Sequence, residues 1–171
     1  MTRAIRRFLP LGLVAVALAA AVVAQAGLAQ NAPAPTLPPG FAIVQADDIK
    51  WTNVPNGRGV QIANVYGNSN KPGLYVVRVR FPPHVMDMPH VHSEGRHVTV
   101  IKGTWCAGAG LIFDPSKATR IKAGGYMFHP AKGVHWDGAA TDEEAIVQII
   151  GMDPVATTQM HGAGPDWVEA K

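Results

Sequence analysis

The sequence has very few cysteines and few aromatic or charged side chains. Cys106 is the only cysteine among 171 residues, so no disulfide can form within the chain, and we expect Cys106 to be a small buried hydrophobe. Aromatic residues make up 7% and charged residues 16% of the chain, against 47% hydrophobic residues. This composition excludes a disordered or collagen-like chain and fits one compact domain.

Acidic residues are missing before Asp47, whereas three of the fifteen basic residues lie in the first seven positions. The rest of the chain balances twelve basic against twelve acidic residues. The formal charge of +3 therefore belongs to the N-terminus and not to a basic surface. Because no excess of Lys and Arg is left to contact phosphates, we expect no nucleic-acid partner.

The first 29 residues have the pattern of a secretory signal peptide. An unbroken small and apolar run, Phe8–Val23, follows the N-terminal arginines and leads to two small-x-small cleavage motifs. This run of about 16 residues is shorter than the roughly 20 that span a bilayer, so we predict a cleaved signal peptide over residues 1–29 and no membrane attachment afterwards. Arg6-Arg7 is similar to a twin-arginine signal, but no residue separates the pair from Phe8, which favours the general secretory route. We expect a periplasmic or secreted protein.

Four prolines in eleven residues predict an extended tether over residues 30–40, followed by a single domain over residues 41–171. Within this domain apolar residues recur with a period of two, which is typical of strands with one wet face. Many short strands separated by Gly, Pro and Asn turn signals predict a β-sandwich or barrel. Weak helical patterns lie near Asp47–Trp51 and at the C-terminus. The predicted strands are Gly59–Tyr66, Leu74–Phe81, His97–Lys102, Gly110–Phe113, Ala118–Lys122, Gly125–His129 and Glu144–Ile150.

Histidine is concentrated in one part of the chain. Six of the seven histidines fall within 52 residues, from His84 to His135. His90 and His92 are two residues apart, so on a strand both imidazoles project from one face and can bind one ion. His135 follows a second predicted strand and is a candidate third ligand.

Two segments around these histidines resemble the two motifs of the cupin superfamily. The first is PHVHSEGRHVTVIKG, residues 89–103, and the second is GGYMFHPAKGVH, residues 124–135. The resemblance extends over residues 72–154 and implies an all-β, double-stranded β-helix, the jelly-roll barrel of RmlC-like proteins, which are often homodimers. It also implies one divalent transition metal, Fe, Mn, Zn, Ni or Cu, bound by His90, His92 and His135.

Arg96 stands where the cupin motif has a metal-binding glutamate, and a guanidinium cannot bind a cation. Three alternatives follow. In the first, a one-residue bulge turns His97 toward the interior as a fourth ligand. In the second, the three histidines form an open site completed by water or substrate, with Glu94 as an outer carboxylate. In the third, Arg96 fills the pocket, no metal binds, and an anion does.

Four residues are candidates for binding a substrate. An interior Arg96 would bind a carboxylate or phosphate, which predicts a small, acidic ligand. Gln148 faces either the barrel or solvent, and His129 lies either in the pocket or in the core. Trp136 either walls the pocket or plugs the barrel mouth. Two thioethers near the imidazoles, Met86 and Met88, raise the alternative of copper.

The expected function is that of a metal-dependent enzyme of the oxygenase, isomerase or lyase type, acting on a small carboxylate- or carbonyl-bearing molecule. The alternative is a non-catalytic periplasmic module that binds or senses a small molecule or a metal. An open coordination position favours catalysis, whereas four protein ligands favour a structural role.

Overall fold

The computed structural model describes residues 38–170, and strands make up nearly half of them. The predicted signal peptide and most of the predicted tether lie outside the described residues. The range Val44–Lys171 forms one compact unit. Two short 3₁₀ helices, Ala46–Asp48 and Pro115–Lys117, are the helical segments of the described part, and neither could cross a membrane. The strands are β1 (Thr52–Asn53), β2 (Gln61–Tyr66), β3 (Leu74–Phe81), β4 (Val85–His92), β5 (Arg96–Lys102), β6 (Thr104–Ala109), β7 (Thr119–Lys122), β8 (Tyr126–His129), β9 (His135–Gly138), β10 (Ala145–Met152), β11 (Thr157–Gln159) and β12 (Trp167–Glu169).

The strands pair antiparallel in two six-stranded sheets. The first sheet has the order β1-β2-β3-β10-β5-β8, and the second has β11-β4-β9-β6-β7 with β12 also paired to β4. Successive side chains of a strand point to opposite faces, so the alternating pattern gives each sheet one apolar face. The two apolar faces meet in a core that takes Val77 and Val147 from the first sheet and Val85 and Trp105 from the second. The predicted all-β double-stranded β-helix is confirmed.

A smaller cluster lies apart from this core. Its buried members are Met86, Cys106, Trp136 and Ala170, and Phe113 packs against them. Cys106 is fully buried there as a small hydrophobe, as the sequence predicts. Met86 and Trp136 each lie next in sequence to a residue whose side chain faces the core. Because side chains alternate along β4 and β9, those of Met86 and Trp136 lie on the other face of the sheet.

Two predictions about single segments are wrong. Gly110–Phe113 is not a strand, because Leu111 and Ile112 lie exposed in the loop after β6, where this apolar run has no strand to pair with. The strand in this part of the chain is β6, which comes just before this segment. Its alanine and glycine residues make the alternation of polar and apolar side chains hard to recognise. The weak helical pattern at the C-terminus is also wrong, since β11 and β12 lie there and pair with β4.

Candidate metal centre

A β-bulge in β4 determines which of its side chains face the core. Asp87 pairs with Asp137 and His90 pairs with His135, so two β4 residues lie between these pairs where β9 has one. The extra residue reverses the alternation, and Asp87, His90 and His92 therefore all face the interior. Pro89 lies within the bulge and has no N–H to donate to the sheet, which explains why the pairing is interrupted there.

The bulge and the pairing of β4 with β9 bring three histidines together. His90, His92 and His135 are 2%, 5% and 4% exposed. Their ring centroids are 4.8 Å apart for His90 and His92, 4.3 Å for His90 and His135, and 5.1 Å for His92 and His135. The potential ligand atoms of the three residues lie within 4.8 Å of one another. The three imidazoles predicted from sequence thus converge on one point.

Hydrogen bonds at the Nδ1 atoms orient the three rings. His90 Nδ1 donates to the Met88 carbonyl oxygen at 2.7 Å, and His135 Nδ1 donates to the Gly133 carbonyl oxygen at 2.8 Å. His92 Nδ1 lies 3.0 Å from Thr157 Oγ1, which can accept its proton. In this tautomer every Nε2 carries a lone pair, and Nε2 of His92 and of His135 is buried without a protein partner.

The donor set fits a divalent transition metal. Burial lowers the pKa of His90 to about 4 and the pKa of His92 well below its usual range. Both imidazoles are therefore neutral at physiological pH, which is the form that binds a metal. Imidazole suits Zn, Cu, Fe and Ni, and three ligands leave at least one coordination position open.

Two buried carboxyl groups stand beside the histidines and were not predicted. Asp87 and Asp137 face each other across the β4–β9 pair and are 7% and 6% exposed. Asp137 Oδ1 accepts a hydrogen bond from Trp105 Nε1 at 3.3 Å, and its Oδ2 lies 3.7 Å from His135 Nε2. Burial, and secondarily the charge of Asp137, raise the pKa of Asp87 to about 8. The two-residue spacing of Asp137 from His135 is the sequence signal that could have indicated one of them.

Asp137 also belongs to a second group of potential ligands, with His129 and His135. Because Nδ1 of His135 is bonded to a carbonyl oxygen, both groups depend on the same Nε2 atom. They are therefore alternative positions for a single ion. The position formed by His90, His92 and His135 is favoured, because His129 Nδ1 lies 3.4 Å from an Arg96 guanidinium nitrogen and must accept from it. The neutral His129 ring then carries its proton on Nε2, which cannot bind a metal in this tautomer.

Arg96 faces the interior, on the same side of β5 as the buried Val98 and Val100. Its side chain lines the same cavity as His90 and His92, and its Nε is buried without a hydrogen-bond partner. His129 is 1% exposed, lines the same cavity, and has its ring centroid 3.8 Å from that of His135. Burial lowers the pKa of His129 to about 3.

His97 does not join the other histidines. The pairing of β5 with β8 is regular at this residue, so the bulge that would turn His97 inward is absent. The side chain lies on the exposed face of β5, where its Nδ1 is 2.7 Å from Tyr126 Oη. Glu94 is exposed as well. The structure therefore corrects the alternative in which His97 supplies a fourth ligand.

Two more candidates for the pocket lie outside it. Gln148 Oε1 accepts a hydrogen bond from Arg78 Nε at 3.2 Å on the outer face of the first sheet. Trp136 packs edge-on against Phe113 in the smaller cluster, with ring centroids 5.2 Å apart. Met86 is buried in the same cluster and not beside the imidazoles. In each case the side chain belongs to the other face of its strand.

The cavity beside His90 and His92 has a volume of about 210 Å³. Its polar lining includes His90, His92, His129, the two carboxyl groups and Arg96, and its apolar lining includes Val79, Phe81 and Trp167. Trp167 comes from β12 and packs against Phe81 with ring centroids 6.1 Å apart. The site thus offers a small molecule both polar contacts and an apolar surface.

Replacing His97 with Ala is expected to leave the metal content of the protein unchanged, because this imidazole bonds Tyr126 on the outside of the barrel. Elemental analysis of purified His97→Ala and His92→Ala protein checks this. Metal loss in the His97 variant equal to that in the His92 variant would restore His97 as a ligand.

Replacing Thr157 with Val is expected to weaken metal binding about tenfold, because His92 loses the oxygen that orients its ring and fixes its tautomer. Competition with a chromophoric zinc chelator measures the affinity. Thr158→Val is the matched control on the same strand, since Thr158 pairs with Val91 and its hydroxyl makes no hydrogen bond with a site histidine. Equal effects of the two changes would contradict an orienting role.

Comparisons with solved structures support the fold. The structure is similar to the polyketide cyclase RemF from Streptomyces resistomycificus, with a TM-score of 0.62 and 12% identity over 74% of this chain and 89% of that one. It is also similar to a sugar phosphate isomerase of the cupin superfamily from Silicibacter pomeroyi, with a TM-score of 0.54 and 17% identity over 70% and 83% of the two chains. An RmlC-like cupin from Shewanella frigidimarina matches with a TM-score of 0.52 and 13% identity over 67% and 92%.

No curated protein matches the sequence. A family model described as the ChrR cupin-like domain matches residues 39–156, which include both histidine motifs and ten of the strands. The chain therefore belongs to the ChrR cupin-like domain family of the cupin superfamily.

Proposed function

We propose that this protein is an exported, metal-dependent enzyme that acts on a small carbonyl- or carboxylate-bearing molecule. The observation that carries the proposal is the convergence of His90, His92 and His135, whose potential ligand atoms lie within 4.8 Å of one another beside a cavity that His90 and His92 line. These three residues would hold one divalent transition metal. When bound, the ion supplies Lewis-acid polarisation of a carbonyl oxygen.

The residues around the histidines support a substrate in the cavity. The apolar wall formed by residues such as Phe81 and Trp167 excludes water and receives the carbon skeleton. The carboxyl groups of Asp87 and Asp137 can accept a proton from the substrate or donate one to it through their Oδ2 atoms. These carboxyl groups and an incomplete ligand set favour an enzyme over a structural metal site, which is closed by four protein ligands.

The similar structures do not identify the reaction. One is named a polyketide cyclase and another a sugar phosphate isomerase, and both share less than a fifth of their residues with this chain. One fold supports many reactions, so the reaction must be argued from the site. The cavity of about 210 Å³ restricts the substrate to a small molecule.

Elemental analysis of the untagged protein, expressed as the full chain and purified after export, tests the metal site. We expect about one equivalent of a single transition metal in the wild type and none in His135→Ala. Wild-type protein without metal, also after incubation with Zn²⁺, would overturn the proposal. Metal and ligand binding without turnover of any carbonyl substrate would refute the proposed enzymatic activity and favour a non-catalytic binding module.

Export is part of the proposal and rests on the N-terminal sequence, which lies outside the described residues. Intact-mass measurement of the protein in the periplasmic fraction checks it. We expect a chain that begins close to residue 30. A chain of full length in the cytoplasmic fraction would contradict export.

A further inference from the structure

The guanidinium of Arg96 lies in the cavity without a direct salt bridge. Among residues 38–170 no carboxylate oxygen lies within 4.0 Å of it. Its one side-chain hydrogen bond, from Nη2 to His129 Nδ1, is long at 3.4 Å and goes to a neutral ring. Its Nε is buried and has no partner. An unpaired buried charge is costly, so this arrangement favours an anionic ligand that pairs with it.

A second unpartnered donor lies on the same side of the barrel. Gly151 pairs with Arg96 on one neighbouring strand and with Tyr75 on the other. The Tyr75 hydroxyl is buried without a partner and lies against Gly151, since a Cβ added there would be 2.3 Å from Tyr75 Oη. Glycine at this position lets the phenol lie across β10 on the side of Arg96. The orphaned phenol adds a neutral donor beside the guanidinium.

The charges and walls of the cavity define the ligand further. Arg96 is the one Lys or Arg side chain among the described residues that line the cavity. A single guanidinium pairs well with a single carboxylate group, which favours a monoanion over a phosphate dianion. The apolar lining residues, such as Val79 and Phe81, suit a short hydrocarbon body.

We propose that Arg96 binds the carboxylate of a small monoanionic substrate with a short apolar body, while the substrate's carbonyl group faces the three histidines. This inference rests on the proposed function and specifies its substrate class. The position that holds a metal-binding glutamate in other cupins here holds the residue that recognises the substrate's charge. Arg96 makes paired, charge-assisted hydrogen bonds with both carboxylate oxygens.

Calorimetric titration with sodium butyrate and with its neutral analogue butyramide tests the inference. Zinc-loaded and zinc-free samples are prepared of the wild type, Arg96→Met, Arg96→Lys and Arg78→Met. Arg78 is the matched control, because it lies on the outer face of the first sheet and bonds Gln148. Zinc content is measured separately for every sample, so that failure of the metal site and failure of the anion site are distinguished.

We expect butyrate, but not butyramide, to bind the wild type and Arg78→Met. Arg96→Met should bind butyrate roughly ten- to a hundredfold more weakly with unchanged zinc content. Arg96→Lys should fall between them, because an ammonium cannot make the paired contact, and this variant decides the matter if Arg96→Met does not fold. Arg96-dependent butyrate binding by protein that takes up no zinc would uphold the anion site and overturn the proposed metal site.

Equal butyrate affinity in the wild type and in both Arg96 variants would overturn the inference, since the carboxylate would then be held elsewhere. Equal binding of butyrate and butyramide, or no binding of either, would also overturn it. Tighter binding of inorganic phosphate than of butyrate would show that the site prefers a dianion, which contradicts the proposed substrate class.

Discussion

The double variant His90→Ala, His92→Ala is expected to bind divalent metal roughly a thousandfold more weakly than the wild type, or not at all. The variant retains His135 as the single histidine of the proposed ligand set. One imidazole of the set cannot compensate an ion for the water it gives up, and the alternative position is disfavoured because His129 Nδ1 accepts from Arg96. Calorimetric titration with Zn²⁺ gives both the affinity and the stoichiometry.

The same variant is expected to remain folded. The imidazole of His92 has a buried Nε2 without a protein partner, so its removal also removes an unfavourable buried polar group. The pairing of β4 with β9 and β11 depends on the backbone and not on these rings. Circular dichroism and thermal unfolding of metal-free protein check this.

The control for the double variant is His84→Ala, His161→Ala. These histidines lie outside the cavity and are paired with Asp142 and Asp166 at 2.9 and 3.1 Å. The control removes the same number of imidazoles and should bind Zn²⁺ like the wild type. One equivalent of tightly bound Zn²⁺ in the His90, His92 variant would refute the assignment of the site.

The second large effect is expected for Gly103→Ala, which should lower the stability of the domain by roughly 3 kcal/mol or more. Gly103 is the single residue between β5 and β6 and has φ of +70°, a conformation that side chains disfavour. A Cβ at this position would lie 2.1 Å from the carbonyl oxygen of Glu144, just before β10. Because the obstacle is backbone, the contact can be relieved only by moving the strands apart.

Gly110→Ala separates the cost of the backbone conformation from the cost of the contact with Glu144. Gly110 has φ of +90°, but no atom lies within 4 Å of an added Cβ. Alanine there should cost about 1 kcal/mol, from backbone conformation alone. Thermal unfolding should give a decrease in Tm of about 10 °C for Gly103→Ala and a much smaller one for Gly110→Ala. Similar decreases would show that the contact with Glu144 is unimportant.

The extent to which the site could be predicted follows from the regularity of each strand. His90 and His92 could be placed on one face because the two-residue spacing holds between them. Asp87 lies three residues before His90, an odd spacing that predicts opposite faces, and only the bulge between them places both in the cavity. The prediction that His97 faces the interior is wrong for the opposite reason, since the bulge expected beside this residue is absent.

The sequence by itself determined the all-β fold, the family and the three histidines. Period-two alternation and the spacing of motif residues are local properties, and they follow from backbone geometry without knowledge of the neighbours. The tertiary structure alone decided what surrounds these histidines. It placed Asp87, Asp137 and Arg96 on the cavity wall and Gln148 and Trp136 outside it, because strand pairing and bulges select the face that each side chain occupies.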